Sequence, residues 1–592
     1  MPDKLPIIYI RGYAGNQADV EETVDDPFYG FNVGSTHIRQ DQTGNAAFFA
    51  FQSPFVRLAR NHGYTEVFDG PNQHIGTDCL NPNQTIWIYR FYDPTSQTFD
   101  QPGGRRLSIE EAAAGLADFI EFVLHQPGVT ATRVFLIAHS MGGLVCRSLI
   151  QRHYQNQAIS PRDKIAKLFT YGTPHGGISF DIGQGAIEKV RDLIGVNNSD
   201  DFGRRRMYEY LTPDRARLDD PPPDFDPQYL PFDLLAPDQI FSIIGTNSHD
   251  YEVAHGLSRS LVGPQSDGLV QTRHAFVRDS PRAYIHRSHS GRYGMVNSEE
   301  GYQNLQRFLF GDVRVKTTLI DFDLNFDRTI ASADETVTYL FELQVAIRGL
   351  IILLHEQSLA HLNAISVNKN QFYACKATGL GLFTNFLISE NARRQGTSMR
   401  YMLRLGLYRQ TYRRGVLFTA DHLEHLPLWS DYLILDLKPI EGQDVLYDVK
   451  YGWSSDDREP TQPMNFEQVS ESQADSYVDL PERGRRYFGP NARVKFETLR
   501  TAPGITAPLG SASVPEMLPP VAASDGKAAI RRNTTAKRDR RALTPVDGKI
   551  DSEASICTSV TGVTTPRTRG GRVPSNRWSP GELSQRARIV LF

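Results

Sequence analysis

The sequence predicts an α/β fold: a mostly parallel sheet with helices on both faces, then a β-rich C-terminal domain and a disordered tail. Three observations point there. From Leu5 to Gly311, short β-rich runs alternate with amphipathic segments, the rhythm of strands joined by crossover helices. Several of those runs are apolar at odd and even positions alike, as strands covered on both sides must be. Beyond Gly311 the helical spacing gives way to β-rich runs separated by turn clusters.

In chain order the expected strands are 5–10 (LPIIYI), 85–92 (TIWIYRFY), 133–138 (RVFLIA), 167–172 (KLFTYG), 239–245 (QIFSIIG) and 282–286 (RAYIH). The segment 108–126 reads as a helix, with Ser108 as its N-cap and Glu111 three residues on to complete a capping box. A closing helix over 298–311 starts at Ser298 and stops at Gly311. Residues 178–238 interrupt the rhythm with a stretch rich in proline and acid, and read as a lid or cap insertion over the top edge of the sheet. This frames an α/β domain over residues 1–311 and a β-rich, sandwich-like accessory domain over 312–500, in which GLIILLHEQSLAHL (349–362) reads equally as strand or buried helix. In residues 501–592, 14 Lys and Arg stand against 7 Asp and Glu amid Pro, Ser, Thr, Ala and Gly, so that tail lacks the apolar surface to offset its ordering entropy.

Bulk composition excludes several classes. At 592 residues the chain exceeds what one core supports. A net charge of −4 gives no footprint for nucleic acid. The longest apolar runs fall far short of the ~20 residues of a membrane span. The first strand-like run comes too soon to leave room for a signal peptide, so cytoplasmic residence is the expectation. The four cysteines (Cys79, Cys146, Cys375, Cys557) have neither metal-ligand nor disulfide spacing. There is no H-E-x-x-H, no phosphate-binding P-loop and no G-x-G-x-x-G after a strand.

Chemistry concentrates at VFLIAHSMGGLVCRSLI (134–150), where a buried strand runs into a serine flanked by small residues and then a helix. Acyl transfer needs a nucleophile lifted off the scaffold, a base for its proton, and donors for the developing oxyanion. A sharp strand-to-helix turn supplies the first. Ala138 and Gly142, two before and two after Ser140, let strand and helix approach, and the Met141 N–H faces outward at a helix start that favours an anion.

This AHSMGG segment resembles the nucleophile elbow of α/β-hydrolase lipases and esterases. Three further stretches carry the same resemblance. IIYIRGYAGN matches the oxyanion loop after the first strand, with the Tyr13 backbone N–H at the second donor position and Arg11 where the family usually has histidine. YGTPHGG (171–177) is similar to the family's G-T-P-H-x-G run, and reads as architecture with His175 structural. QSDGLV resembles the segment carrying the acid, which falls on Asp267; Asp250, nearer the end of strand 239–245, is the rival. The family's chain order of Ser, Asp, His leaves His274, His286 and His289 as bases, and His289, just past the last strand, is favoured.

The resemblance implies a serine hydrolase of carboxylic esters, of lipid or acyl type, with Ser140, His289 and Asp267 as a triad. The N–H groups of Tyr13 and Met141 would form the oxyanion hole. It implies no metal and no organic cofactor. Apolar residues of the insertion (Ile187, Val190, Leu193, Ile194, Tyr229, Leu230, Phe232) would line an acyl pocket. The expected partner is a small-molecule or lipid ester, with no nucleic acid; peripheral contact with a membrane or lipid droplet, and the oligomeric state, stay open. Lipid acyl transfer, lipid-anchor deacylation and a silent hydrolase fold serving as an interaction module are the alternatives.

Overall fold

The structure is a computed structural model. It describes residues 4–12, 36–40, 46–50, 54–69, 72–77, 79–91, 107–178, 202–249, 263–290, 294–326, 335–388, 398–413, 422–439, 447–456, 459–470 and 472–500. Tyr13, Asp250, the insertion's Ile187, Val190, Leu193 and Ile194, and the whole tail from Thr501 lie outside the described residues.

One sheet is built from β1 (Ile7–Ile10), β2 (Thr65–Glu66), β3 (Thr85–Tyr89), β4 (Val134–His139), β5 (Ile165–Tyr171), β6 (Ile240–Gly245) and β7 (Arg282–Ile285). Its order is β7-β6-β5-β4-β1-β3-β2, parallel at every pairing. The apolar residues of each strand divide by the two-residue period between two buried clusters. Ile7, Tyr9, Phe135 and Ile137 join one with α1 (Pro54–His62) and a later helix (Glu299–Phe310). Ile8, Ile10, Leu136 and Ala138 join the other with α2 (Ile109–Leu124) and α3 (Gly142–Ser148). Helices therefore cover both faces, and each fully buried Ile, Leu or Phe contributes roughly 1.5–3 kcal/mol to holding them there. The capping box forms as expected: the Glu111 N–H donates to Ser108 Oγ at 3.1 Å, and the Ser108 N–H to Glu111 Oε2 at 2.9 Å.

Strand order decides where a ligand can sit. After β1 the chain builds β2 and β3 outward on one side, then returns through α2 to place β4 on β1's other flank. The order reverses between β1 and β4, and at such a reversal the connections leave opposite faces and open a crevice at the strands' carboxyl ends. Gly12 follows β1, and Ser140 follows β4.

In the insertion, α4 (Arg204–Leu211) packs Met207, Tyr210 and Leu211 into the cluster of α2 and α3. It is pinned to α2 by Arg206, whose Nη1 donates to Glu110 Oε1 at 2.6 Å. The closing helix α5 (Glu299–Phe310) is capped by Ser298, which accepts the Gly301 N–H at 2.9 Å, and it ends at Gly311.

Two antiparallel sheets follow. The first has the order β11-β8-β18-β17-β16, from β8 (Val313–Ile320), β11 (Leu380–Leu387), β16 (Phe466–Gln468), β17 (Gln473–Asp479) and β18 (Arg493–Arg500). The second runs β10-β9-β12-β13-β14-β15, from β9 (Glu335–Ile347), β10 (Leu353–Gln357), β12 (Met399–Arg413), β13 (His422–Pro439), β14 (Tyr447–Trp453) and β15 (Gln462–Pro463), with Ile365–Val367 also paired to β9. The segment left open between strand and helix contains β10: a short apolar run has no period of its own, and pairing with β9 settles it.

The apolar cluster on the α5 face continues past Gly311 into these sheets. Phe386 of β11 stands edge-on to Phe308 of α5 at 5.3 Å and meets Phe241 of β6 at 6.2 Å. Asn304 of α5 donates to the Leu354 carbonyl at 2.9 Å, and Lys167 Nζ caps the end of α5 through the carbonyls of Phe308 (2.5 Å) and Leu309 (3.1 Å). Among the described residues, no helix is long and apolar enough to cross a membrane.

Candidate active site

At the end of β4 the backbone turns through Ser140 with φ +55°, a left-handed conformation that costs a non-glycine residue about 1–2 kcal/mol. The surroundings hold it there. The Ser140 N–H donates to the Tyr171 carbonyl at 2.9 Å, and the Ser140 carbonyl accepts the Thr173 hydroxyl at 2.8 Å and the Gly143 N–H at 3.1 Å. A Cβ on Gly142 would lie 2.6 Å from the Ile10 carbonyl oxygen, so only glycine lets α3 start this close to β1. The serine side chain is thereby raised at the carboxyl edge of the sheet.

Ser140 Oγ lies 2.9 Å from His289 Nε2, and His289 Nδ1 lies 2.8 Å from Asp267 Oδ2. The proton positions follow from the inventory of groups. An ionised carboxylate only accepts, so Nδ1 carries the hydrogen and Nε2 is left to accept the serine hydroxyl proton. Asp267 is 1% exposed, and its other oxygen, Oδ1, accepts the N–H groups of Leu269 (3.0 Å) and Val270 (2.7 Å). The tight turn of SDGLV thus fixes the carboxylate's rotation. The His289 N–H also donates to the Asp267 carbonyl at 2.9 Å, so main chain and side chain together tie His289 to Asp267.

Two glycines make room for these side chains, Gly172 beside Asp267 and His289 and Gly12 beside Ser140. A Cβ on Gly172 would stand 2.9 Å from Asp267 Oδ2 and 3.0 Å from His289 Nδ1, and one on Gly12 would stand 2.8 Å from Ser140 Cβ. Gly12, just after β1, therefore lies directly against the serine; Tyr13, the next residue, is outside the described ones. On the other side, the Met141 N–H at the start of α3 has no acceptor among the described residues.

Other histidines have different places. His139 is buried, and its Nε2 donates to the His289 carbonyl at 2.9 Å. Burial, and secondarily the neighbouring His289, hold its pKa well below the usual imidazole range, so it is neutral. His175 is fully buried with Nε2 3.1 Å from the Thr170 hydroxyl, and burial plus the charge of Arg147 keep it neutral as well. His286 is exposed and stacks on His361 with 3.7 Å between ring centroids, and His274 lies in a short turn, Thr272–His274.

Sequence reasoning missed two groups: Thr173 as a backbone anchor, and Arg147. Arg147 lies seven residues after Ser140, on the inner side of α3, and is fully buried. Its guanidinium donates to Gln151 Oε1 (2.9 Å) and to the carbonyls of His175 (3.2 Å), Pro227 (2.5 Å) and Tyr229 (2.7 Å). Burial pulls its pKa down to about 10. A charge amid Leu144, Val145, Cys146, Leu149 and Ile150 was the available signal. Of the insertion's apolar residues, Leu230 is buried in the α3 cluster, while the rings of Tyr229 and Phe232 are partly exposed, 5.9 Å apart. Among the described residues, no group of three or more His, Cys, Asp or Glu could hold a metal ion.

A parallel sheet covered on both faces, with a strained serine between strand and helix at the reversal of strand order, is a fold of the α/β-hydrolase type, and this chain has it. Residues 107–191, which span α2, β4, the elbow and β5, match the family model described as PGAP1-like alpha/beta domain. Among solved structures, phospholipase PlaB from Legionella pneumophila is similar at 11% identity over 72% of this chain and 91% of that one, with a TM-score of 0.29. The putative cell surface hydrolase from Lactobacillus plantarum WCFS1 is similar at 10% identity over 52% of this chain and 89% of that one, with a TM-score of 0.22. No curated protein matches the chain.

Proposed function

We propose that the chain is a serine hydrolase that cleaves carboxylic esters, of lipid or acyl type, through an acyl-enzyme intermediate. The observation that carries this reading is the relay of 2.8 Å and 2.9 Å from Asp267 through His289 to a serine held at φ +55°. Ser140 Oγ attacks the ester carbonyl while His289 Nε2 takes its proton. Asp267 keeps the imidazole in the tautomer that can do so and stabilises the imidazolium that results. The oxyanion gathers at the N–H groups of Met141 and Tyr13, each such donor contributing about 10²–10³ in turnover. Collapse expels the alkoxide, which leaves as the alcohol with the proton from His289. Water, deprotonated by the same imidazole, then attacks the acyl-enzyme, and the carboxylate departs with Ser140 restored.

The lipid preference rests on the lipase resemblance of the elbow and of three further stretches, and on the PGAP1-like match that spans the elbow. In this reading residues 1–311 are the catalytic domain with 178–238 as its cap, 312–500 an accessory domain, and 501–592 a tail. The test is ester hydrolysis across acyl chain lengths, with soluble nitrophenyl esters and with phospholipid vesicles, beside labelling by a fluorophosphonate probe. Wild type turns over and is labelled; Ser140→Ala does neither. Turnover that survives in Ser140→Ala ends the proposal, as does a folded wild type that neither reacts nor takes the label. Transfer of the acyl group to an added alcohol in preference to water would reassign the reaction to acyl transfer.

A further inference from the structure

Ser140 and Asp267 stand on separate pieces of chain, and a relay through His289 needs them placed to within about an ångström. Ser140 precedes α3, whereas Asp267 lies in a hairpin. The hairpin is closed by the Thr272 N–H on the Gln265 carbonyl at 3.0 Å and the Asp267 N–H on the Val270 carbonyl at 3.2 Å, and Ser266 bridges to Gln271. It runs straight into the short turn Thr272–His274. One β-turn of the insertion, Asp226 to Tyr229, touches both α3 and this segment.

The sequence of that β-turn sets its shape. Pro227 fixes the backbone at the second position, and the Asp226 carboxylate accepts the Gln228 N–H at 3.0 Å. The Tyr229 N–H then closes on the Asp226 carbonyl at 3.1 Å. So held, the turn presents its polar groups in two directions. The carbonyls of Pro227 and Tyr229 accept from the fully buried Arg147 of α3, at 2.5 and 2.7 Å. Gln228 reaches the other way: its Nε2 lies 3.0 Å from the Arg273 carbonyl and 3.0 Å from the Phe276 carbonyl, one for each amide hydrogen. Its own carbonyl accepts the Arg278 N–H at 2.9 Å, and Arg278 Nε donates to Asp226 Oδ2 at 2.5 Å. There is no slack beside it. The Gly176 N–H donates to the His274 carbonyl at 2.9 Å, and a Cβ on Gly176 would stand 3.0 Å from His274 Cδ2 and 3.2 Å from Gln228 Cδ.

We infer that Gln228 is a positioning residue for the proposed relay: its amide, carried on a turn that Arg147 grips from α3, fixes the segment bearing Asp267 against the elbow. The effect on turnover rests on the serine-hydrolase reading; the restraint on residues 265–276 does not.

The experiment compares the full chain with Gln228→Met, a side chain of the same length without donors, and with Gln228→Lys, which returns N–H donors at a similar reach. On a short, soluble nitrophenyl ester, Gln228→Met lowers kcat about tenfold, as a shift of a fraction of an ångström would, with KM little changed. Gln228→Lys recovers most of the loss. Hydrogen exchange read by mass spectrometry speeds up several-fold in peptides covering 265–276 of Gln228→Met and returns toward wild type in Gln228→Lys. A residue that only stabilised the fold would lower the thermal midpoint and leave kcat alone well below it. If circular dichroism shows Gln228→Met unfolded, Gln228→Asn, which withdraws the amide by one bond, takes its place. Unchanged kcat in a folded variant, a loss expressed in KM instead, or unchanged exchange over 265–276 each overturns the assignment and leaves the hydrolase reading standing. A wild type without turnover ends that reading, and the exchange measurement then decides by itself whether Gln228 restrains the segment.

Discussion

Replacing Asp267 with asparagine changes one atom and tests the geometry of the proposed relay. Oδ1 of Asp267 already accepts two main-chain N–H groups, from Leu269 at 3.0 Å and Val270 at 2.7 Å. In the amide, the carbonyl oxygen must take that position, because an NH₂ there would face two donors. The NH₂ is then left opposite His289 Nδ1, which is forced to accept. The imidazole hydrogen moves to Nε2 and points at Ser140 Oγ, where a proton acceptor is required. Shape and packing are preserved while the base is disabled, and a wrong tautomer of this kind costs about 10⁴ in kcat. Exchanging three charge-assisted hydrogen bonds, from Leu269, Val270 and His289, for neutral ones costs about 2–3 kcal/mol. Steady-state hydrolysis of a soluble nitrophenyl ester should show kcat down by about four decades with KM within a few-fold of wild type. The rate of fluorophosphonate labelling should fall in parallel. If Asp267→Asn stays within tenfold of wild type while Asp250→Asn abolishes turnover, the acid is Asp250 and the reasoning is refuted.

Other expectations follow from neighbouring contacts. Gly12→Ala would place a methyl 2.8 Å from Ser140 Cβ; misplacing a reacting group by an ångström costs ~10², so turnover should drop by about that factor with the thermal midpoint little changed. Arg147→Met leaves the buried carbonyls of His175, Pro227 and Tyr229 without their donor, and should cost about 3 kcal/mol or more in chemical denaturation. His139, His175 and His355 are all buried with lowered pKa, the last to about 3, each through burial first. They bind protons in the unfolded chain below its pKa of ~6.5 but not in the folded one, so stability is full above that value and declines as pH falls. Between pH 7.5 and 5.5 the three together should cost roughly 4 kcal/mol, read from urea midpoints, and replacing His355 with leucine should flatten the slope by about a third.

Much of the architecture was legible because its causes are local. Strands apolar at every position could only be sheathed on both sides, and the Ser108–Glu111 pair announced a helix start that the hydrogen bonds reproduce. His289 could be set ahead of His274 and His286 because the expected last strand, 282–286, took in His286; the strand in fact ends at Ile285, so His286 is the first residue past it, and His289 is the one hydrogen-bonded to both Ser140 and Asp267. What stayed hidden depends on residues far apart in the chain. The carbonyls that Arg147 holds lie up to 82 positions away, and His139 reaches the His289 carbonyl across 150. Neither link leaves a local pattern. The strand β10 is ambiguous for a different reason: the segment 349–362 that contains it has no clean period to break the tie, and only its neighbour β9 decides.

The contacts of Phe386 with Phe308 and Phe241, and of Asn304 with the Leu354 carbonyl, make Gly311 a seam inside one body of packed side chains. Severing the polypeptide there would strip α5 of its covering, and α5 in turn braces the sheet whose rim carries Ser140. The downstream sheets and the facing side of α5 form one packed surface, so exchanging those sheets for another module means rebuilding that side of α5.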